Sequence, residues 1–172
     1  MKEQRMKKLG TWNLVALVLT SIGAVFSVVS LPGTLFPNKE ALVSVGGEAL
    51  YNQVNSWTHK VPAVLEVVIS LVFAALFFMA YKQIKSGKLP NKLIYFLNIG
   101  YFVLSLILDQ VVLHSASTDA LAGLDSQTAG VASTAMAIGS IVGILFAVLL
   151  HLPQIMCLIH LFKLEDPTVD NE

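Results

Sequence analysis

Residues 61–81 read VPAVLEVVISLVFAALFFMAY, and this stretch decides the fold class. Glu66 is its one charged residue, and its length matches the roughly 20 residues that an α-helix needs to cross a bilayer. Backbone N–H and C=O groups in lipid must hydrogen-bond within their own segment, which excludes an isolated strand. The stretch therefore predicts a transmembrane helix.

Three further segments of similar length and apolarity predict three more spans. Of the whole chain, 55% is hydrophobic and 13% is charged, against about 25% charged residues in a soluble domain. We predict an all-α integral membrane protein, one domain over residues 1–172, with four transmembrane helices in an antiparallel bundle. The first segment has the length of a span rather than of a signal-peptide core, so we expect it to stay uncleaved. The predicted spans cover residues 12–31, 61–81, 93–113 and 131–152.

The basic residues predict the orientation of the chain. Four of the eleven lie in residues 2–8, four in residues 82–92 and one at Lys163, which leaves Lys39 and Lys60. Cytoplasmic loops carry the excess of lysine and arginine, so we expect both termini in the cytoplasm of a cell membrane. The inner loop is then 82–92, the cytoplasmic tail is 153–172, and the outer loops are 32–60 and 114–130.

The first outer loop opens with LPGTLFP, whose prolines and glycine we expect to end the first helix. NKEALVSV and EALYNQVNSW then predict two short helical pieces, broken by the Gly46–Gly47 pair. They form either a cap over the bundle at the membrane surface or an ordinary solvated loop.

Glu66 and Asp109 are the acids within predicted spans. Glu66 lies about 6 Å and Asp109 about 7.5 Å from the outer ends of their helices, so we expect both carboxylates at a similar depth. Facing each other, they would share a proton or bind a cation. At this depth they can equally reach the headgroups, where Lys60 or His59 would meet them.

The fourth span carries small residues at intervals of four. Such a stripe lets two helix backbones approach closely in lipid, where hydrophobic attraction between helices is weak. The pattern fits packing against another span of the same chain, and it also fits a homodimer face. The candidate packing face is Ala135, Gly139, Gly143 and Ala147.

Pro153 lies within an apolar run that continues to Phe162 and predicts a kink. We expect the span to end near His151, and the following residues either to bend along the membrane interface or to continue as an emergent helix. His151 and Gln154 form a candidate inner polar cluster beside the kink, although His151 also fits an ordinary interfacial histidine.

The remaining polar residues carry simpler expectations. Asn13 and Asn98 lie within predicted spans and are expected to donate interhelical hydrogen bonds. His160 and Cys157 follow the fourth span and are interpreted as incidental. A single cysteine excludes a paired-thiol membrane enzyme.

The sequence contains no nucleophile triad, phosphate-binding loop or metal-ligand spacing, so no catalytic, cofactor or metal site and no nucleic-acid partner is predicted. We predict a non-enzymatic accessory or partner-binding subunit of a bacterial membrane complex, or an immunity-type protein. It would contact the bilayer and either another membrane protein or a second copy through span four. The alternative is a small oligomeric transporter or channel with a proton or cation site at Glu66 and Asp109. A lipid-binding role for the outer loop is a further possibility.

Residues 77–109, FFMAYKQIKSGKLPNKLIYFLNIGYFVLSLILD, resemble small bacterial four-helix membrane proteins with a lysine-rich inner loop. That resemblance implies no mechanism. Small multidrug transporters also combine four spans with a membrane glutamate, but they are shorter and carry that glutamate in the first span.

Overall fold

The computed structural model describes residues 2–121 and 126–165, without the side chains of Asp109, residues 111–121 and Ser126. This part of the chain forms five helices and no strand. The helices are α1 (Lys2–Leu35), α2 (Lys39–Val54), α3 (Trp57–Lys85), α4 (Leu93–Leu121) and α5 (Ser126–Glu165). The all-helical prediction is confirmed for the described residues.

Three of the helices, α1, α3 and α5, are long and apolar enough to cross a membrane. α4 contributes a shorter apolar stretch, Leu93–Leu108. The helices extend beyond the predicted spans, because the hydrocarbon thickness limits the length of a span but not the length of a helix. Much of the predicted second outer loop, 114–130, is therefore helical.

Residues 13–90 form one compact unit that contains most of α1 together with α2 and α3. α1 and α3 run antiparallel, since Asn13 near the start of α1 meets Phe77 near the end of α3. Toward the end of α1, Thr34 and Ser30 lie beside Ala63 and Glu66 at the start of α3.

α1 continues through Pro32, which corrects the expectation that this proline ends the helix. Pro32 cannot donate a hydrogen bond, but its carbonyl still accepts one from the N–H of Phe36, at 2.9 Å. The helix ends at Leu35, shortly before Pro37, because proline disfavours helical geometry in the residue that precedes it.

α2 contains the break predicted at the glycine pair. Gly47 has φ 73° and ψ −177°, a conformation that L side chains rarely adopt. The break brings Lys39 within 3.0 Å of Glu48 and places its ammonium 5.3 Å from the centroid of the Tyr51 ring. An unbroken helix would separate Lys39 and Glu48 by about 13.5 Å along its axis, which is too far for this ion pair.

The second compact unit consists of residues 1–12 and 91–172. α4 and α5 pack antiparallel, and their contacts follow one another in order along both helices. Lys92 pairs with Glu165, and the rings of Phe96 and Phe162 lie 6.2 Å apart. Further along, Phe102 stacks on His151 at 3.7 Å, and Ser140 donates to Gln110 Oε1 at 3.1 Å.

α5 runs through Pro153 to Glu165 as one helix, so the second of the two expected continuations is the one observed. From the proline onward, residues at helical intervals form one buried and mostly apolar face of α5. Its buried residues are Pro153, Gln154, Cys157, Leu158 and Leu161. This segment therefore packs within the protein and is not an appendage.

Candidate functional site

An open cavity of about 90 Å³ lies between α1 and α3 in the unit formed by residues 13–90. We call it the Glu66 groove. It is large enough to hold water. Three hydroxyl side chains and one carboxylate line it, together with apolar neighbours. The lining residues are Ser27, Ser30, Leu31, Thr34, Ala63, Glu66 and Val67.

Two of the hydroxyl groups use their hydrogen atoms within α1. Ser30 Oγ donates to the carbonyl oxygen of Phe26 at 2.9 Å and also lies 3.2 Å from that of Ser27, while Thr34 Oγ1 lies 3.4 Å from the Ser30 carbonyl. A hydroxyl has one donor and two acceptor lone pairs, so these oxygens keep only acceptor capacity for a ligand. The groove therefore suits a cation or a hydrogen-bond donor.

Glu66 supplies the charge in the groove. Its side chain is exposed, and within the described residues it forms no ion pair. Lys60, one of the two residues expected to meet it, instead donates to Asn55 Oδ1 at 2.6 Å. An acid that lines a groove together with acceptor oxygens, and that forms no ion pair among the described residues, is chemically suited to binding a cation.

Asp109 is the predicted companion of Glu66, and its side chain lies outside the described residues. The pairing of the two acids therefore stays a prediction. The polar residues that line the groove with Glu66 are hydroxyl side chains of α1. They were not predicted to lie near this acid.

The small-residue face of α5 is largely uncovered. Ala135, Gly139 and Gly143 are exposed, and Ala147 is half-buried. A Cβ atom added at Gly139 or Gly143 would meet no described atom within 4 Å. Ser140, by contrast, faces α4 through Gln110. A spacing of four turns the stripe by about 40° per step on a helix of 3.6 residues per turn, so along the chain it turns toward the side that faces α4, where Ala147 is half-buried.

His151, Pro153 and Gln154 do not form one hydrogen-bonded cluster in the described part of the chain. His151 Nδ1 lies 2.9 Å from the carbonyl oxygen of Ala147, and its ring stacks on Phe102. Gln154 is buried, and its Oε1 has no hydrogen-bond partner among the described residues. The geometry of His151 is that of a packed aromatic side chain with a local backbone contact.

Asn13 behaves as expected and donates from Nδ2 to the Phe77 carbonyl oxygen at 3.1 Å. For Asn98, the Oδ1 atom is buried without a hydrogen-bond partner in the described residues. Cys157 is not incidental, because it is fully buried and hydrogen-bonds to Tyr95. The burial of Cys157 follows the same helical interval as Leu161, and that interval was the available sequence signal.

A contact between the chain ends was also missed. Arg5 Nη1 donates to the carbonyl oxygen of Lys163 at 2.8 Å, so the guanidinium caps the carboxyl end of α5. The sequence signal was slight, namely the single arginine among ten lysines.

Among the described residues, no group of three or more His, Cys, Asp or Glu side chains is placed to hold a metal ion. Comparisons with protein-family models, with curated proteins and with solved structures gave no match.

Proposed function

We propose that the chain is a four-span membrane protein with both termini in the cytoplasm, and that it acts by binding another membrane-spanning helix. Three helices of spanning length and the apolar stretch Leu93–Leu108 support the four spans. The excess of lysine in residues 2–8 and 82–92 supports the orientation. The proposed role is that of an accessory subunit in a bacterial cell-membrane complex, or of an immunity-type protein.

The uncovered small-residue face of α5 carries this proposal. In the most apolar 18-residue stretch of α5 no residue is buried, whereas 22% of the corresponding stretch of α3 is. Gly139 and Gly143 form a GxxxG pair with open space beside both residues. Lipid chains gain little from such small residues, but a second helix can approach them closely. A partner helix crossing at about −40° would follow the winding of the stripe.

The test compares two substitutions on the same helix. Gly143→Leu fills the stripe, and Ala137→Leu places the same side chain on an exposed position away from it. We expect Gly143→Leu to abolish crosslinked or co-purified complexes while Ala137→Leu leaves them intact, with unchanged unfolding of both variants. Recovery of the wild-type protein only as a free monomer, by crosslinking in membranes and by native purification, would contradict the proposal.

The Glu66 groove favours a second candidate function, a proton- or cation-coupled transporter or channel. The observation behind it is that one carboxylate lines the groove together with hydroxyl groups that donate within α1 and keep their lone pairs free to accept. In liposomes, Glu66→Gln and Asp109→Asn are expected to abolish pH-dependent ion flux. Glu40→Gln, an exposed acid on α2, serves as the control and should keep it. Equal flux in wild type and in both test variants would exclude this function.

A further inference from the structure

Four basic side chains converge at one end of the unit formed by residues 1–12 and 91–172. Arg5 and Lys8 are three residues apart on α1, and His160 and Lys163 are three residues apart on α5, so each pair shares a helix face. We call Arg5, Lys8, His160 and Lys163 the basic cluster.

Two observations bring the pairs together. Arg5 Nη1 donates to the Lys163 carbonyl oxygen at 2.8 Å, which joins the start of α1 to the end of α5. Burial, followed by the positive charges of Lys163, Lys8 and Arg5, lowers the pKa of the His160 imidazole, and Lys8 lies one turn from Arg5 on α1. The cluster is therefore a spatial group rather than a run of sequence.

The permanent charges of the basic cluster lack acidic partners in the described residues. Glu3 is paired with Lys7 at 2.9 Å, and Glu165 is paired with Lys92. Arg5 donates one hydrogen bond to a backbone carbonyl. Its positive charge is therefore not neutralised by any carboxylate among the described residues. Like charges held together repel one another, so a bound anion would relieve an existing cost.

Apolar side chains border the basic cluster on α5. Ile159 and Phe162, which flank His160 and Lys163 in sequence, are 39% and 50% exposed. A phosphate group held by the cations would thus lie next to a surface that suits acyl chains. A soluble anion would use only the charges, whereas a phospholipid would use both features.

We propose that the basic cluster binds the phosphate headgroup of an anionic phospholipid. Lys8 and Lys163 are exposed and supply the charge, and the α5 residues Ile159 and Phe162 contact the acyl chains. The proposal concerns a different part of the chain from the α5 stripe and the Glu66 groove, and it holds whichever function of the protein is correct. The predicted topology adds only that the lipid belongs to the inner leaflet.

The test uses the full-length protein, delipidated in mild detergent and titrated with short-chain phosphatidylglycerol or phosphatidylcholine. Bound lipid is counted by native mass spectrometry. Lys8→Gln/Lys163→Gln removes two charges from the cluster, and Lys82→Gln/Lys85→Gln removes two charges from the last turn of α3 as the matched control. We expect wild type and control to prefer phosphatidylglycerol, and the cluster variant to bind it about 25-fold more weakly, at roughly fivefold per lysine.

Several results would overturn the proposal. One is equal weakening in both double variants, which would show a diffuse effect of net charge. Another is that the wild-type protein shows no preference for phosphatidylglycerol. This result does not depend on whether any variant folds. Displacement of the lipid by excess inorganic phosphate would assign the site to a soluble anion. Residues 166–172 include Asp166, Asp170 and Glu172. If the protein preferred phosphatidylglycerol only after these residues were deleted, the acidic tail would be what binds the basic cluster.

Discussion

At the residue scale, Asn13 holds α1 against α3 within the unit formed by residues 13–90. Its side chain is fully buried, and its amide donates to the backbone carbonyl of Phe77. The carbonyl has a second lone pair available beyond its helical hydrogen bond. In an apolar environment, burying an amide without a hydrogen-bond partner would cost free energy, because the amide loses its hydrogen bonds to water.

We predict that Asn13→Ala lowers the free energy of unfolding by about 0.6–1.7 kcal/mol, which spans the average and the largest values measured for hydrogen bonds between membrane helices. Unfolding in mixed micelles, monitored by circular dichroism, measures the change. Asn52→Ala is the control, because Asn52 is exposed on α2 and its loss should change little. Equal effects of the two substitutions would show that the Asn13 hydrogen bond does not stabilise the fold.

The same residues show how far sequence reasoning extends at this scale. A polar amide inside an apolar run must find a donor or acceptor, so a hydrogen bond for Asn13 was predictable, while the identity of Phe77 was not. The depth of Glu66 followed from counting residues along a helix. Its neighbours Ser30 and Thr34 depend on which helices pair, and a single sequence does not encode that choice locally.

At the scale of helices, Gly47 determines the shape of α2. Its backbone conformation is one that essentially only glycine adopts. The resulting break allows the Lys39–Glu48 ion pair and the contact of Lys39 with Tyr51. Asn38 caps the first turn by accepting a hydrogen bond from the Ala41 N–H at 3.0 Å. The first helical piece of α2 is thus bounded by the Asn38 cap and by the Gly47 break.

We predict that Gly47→Ala destabilises the broken form of α2 by about 1–3 kcal/mol. Spin labels at Ala41 and Asn52, both exposed, should report a longer or broader distance distribution in this variant. Gly23→Ala is the control, since an added Cβ there meets nothing within 4 Å and should leave both the distance and the stability unchanged or slightly improved. An unchanged distance in Gly47→Ala would contradict the assigned role of this glycine.

The two prolines near the end of α1 differed as sequence signals, because the helix ends before Pro37 but continues through Pro32. Pro32 and Pro153 both lie inside helices, α1 and α5, that continue beyond them. A proline removes one backbone donor, but the residues that follow it still form helical hydrogen bonds, as Phe36 does with the Pro32 carbonyl. The glycine break at Gly47 was predictable because it concerns the conformation of a single residue.

At the scale of the whole molecule, each of the two units contains an antiparallel helix pair. α1 pairs with α3, and α4 pairs with α5, as their ordered contacts show. The helical class followed from composition and segment length. The contact between Arg5 and Lys163 joins residues 158 positions apart, and no local pattern predicts a contact of that range.

We propose that the chain crosses the bilayer four times, with its lysine-rich segments in the cytoplasm. Labelling of single cysteines by a membrane-impermeant maleimide tests this topology, in a Cys157→Ser background that keeps a polar atom beside Tyr95. The reporter positions are the exposed residues Ser44, Ser86, Thr128 and Glu165. In intact cells, cysteines at 44 and 128 should be labelled, whereas those at 86 and 165 should react only after permeabilisation. Labelling of position 86 from outside, or protection of position 128, would contradict the four-span topology.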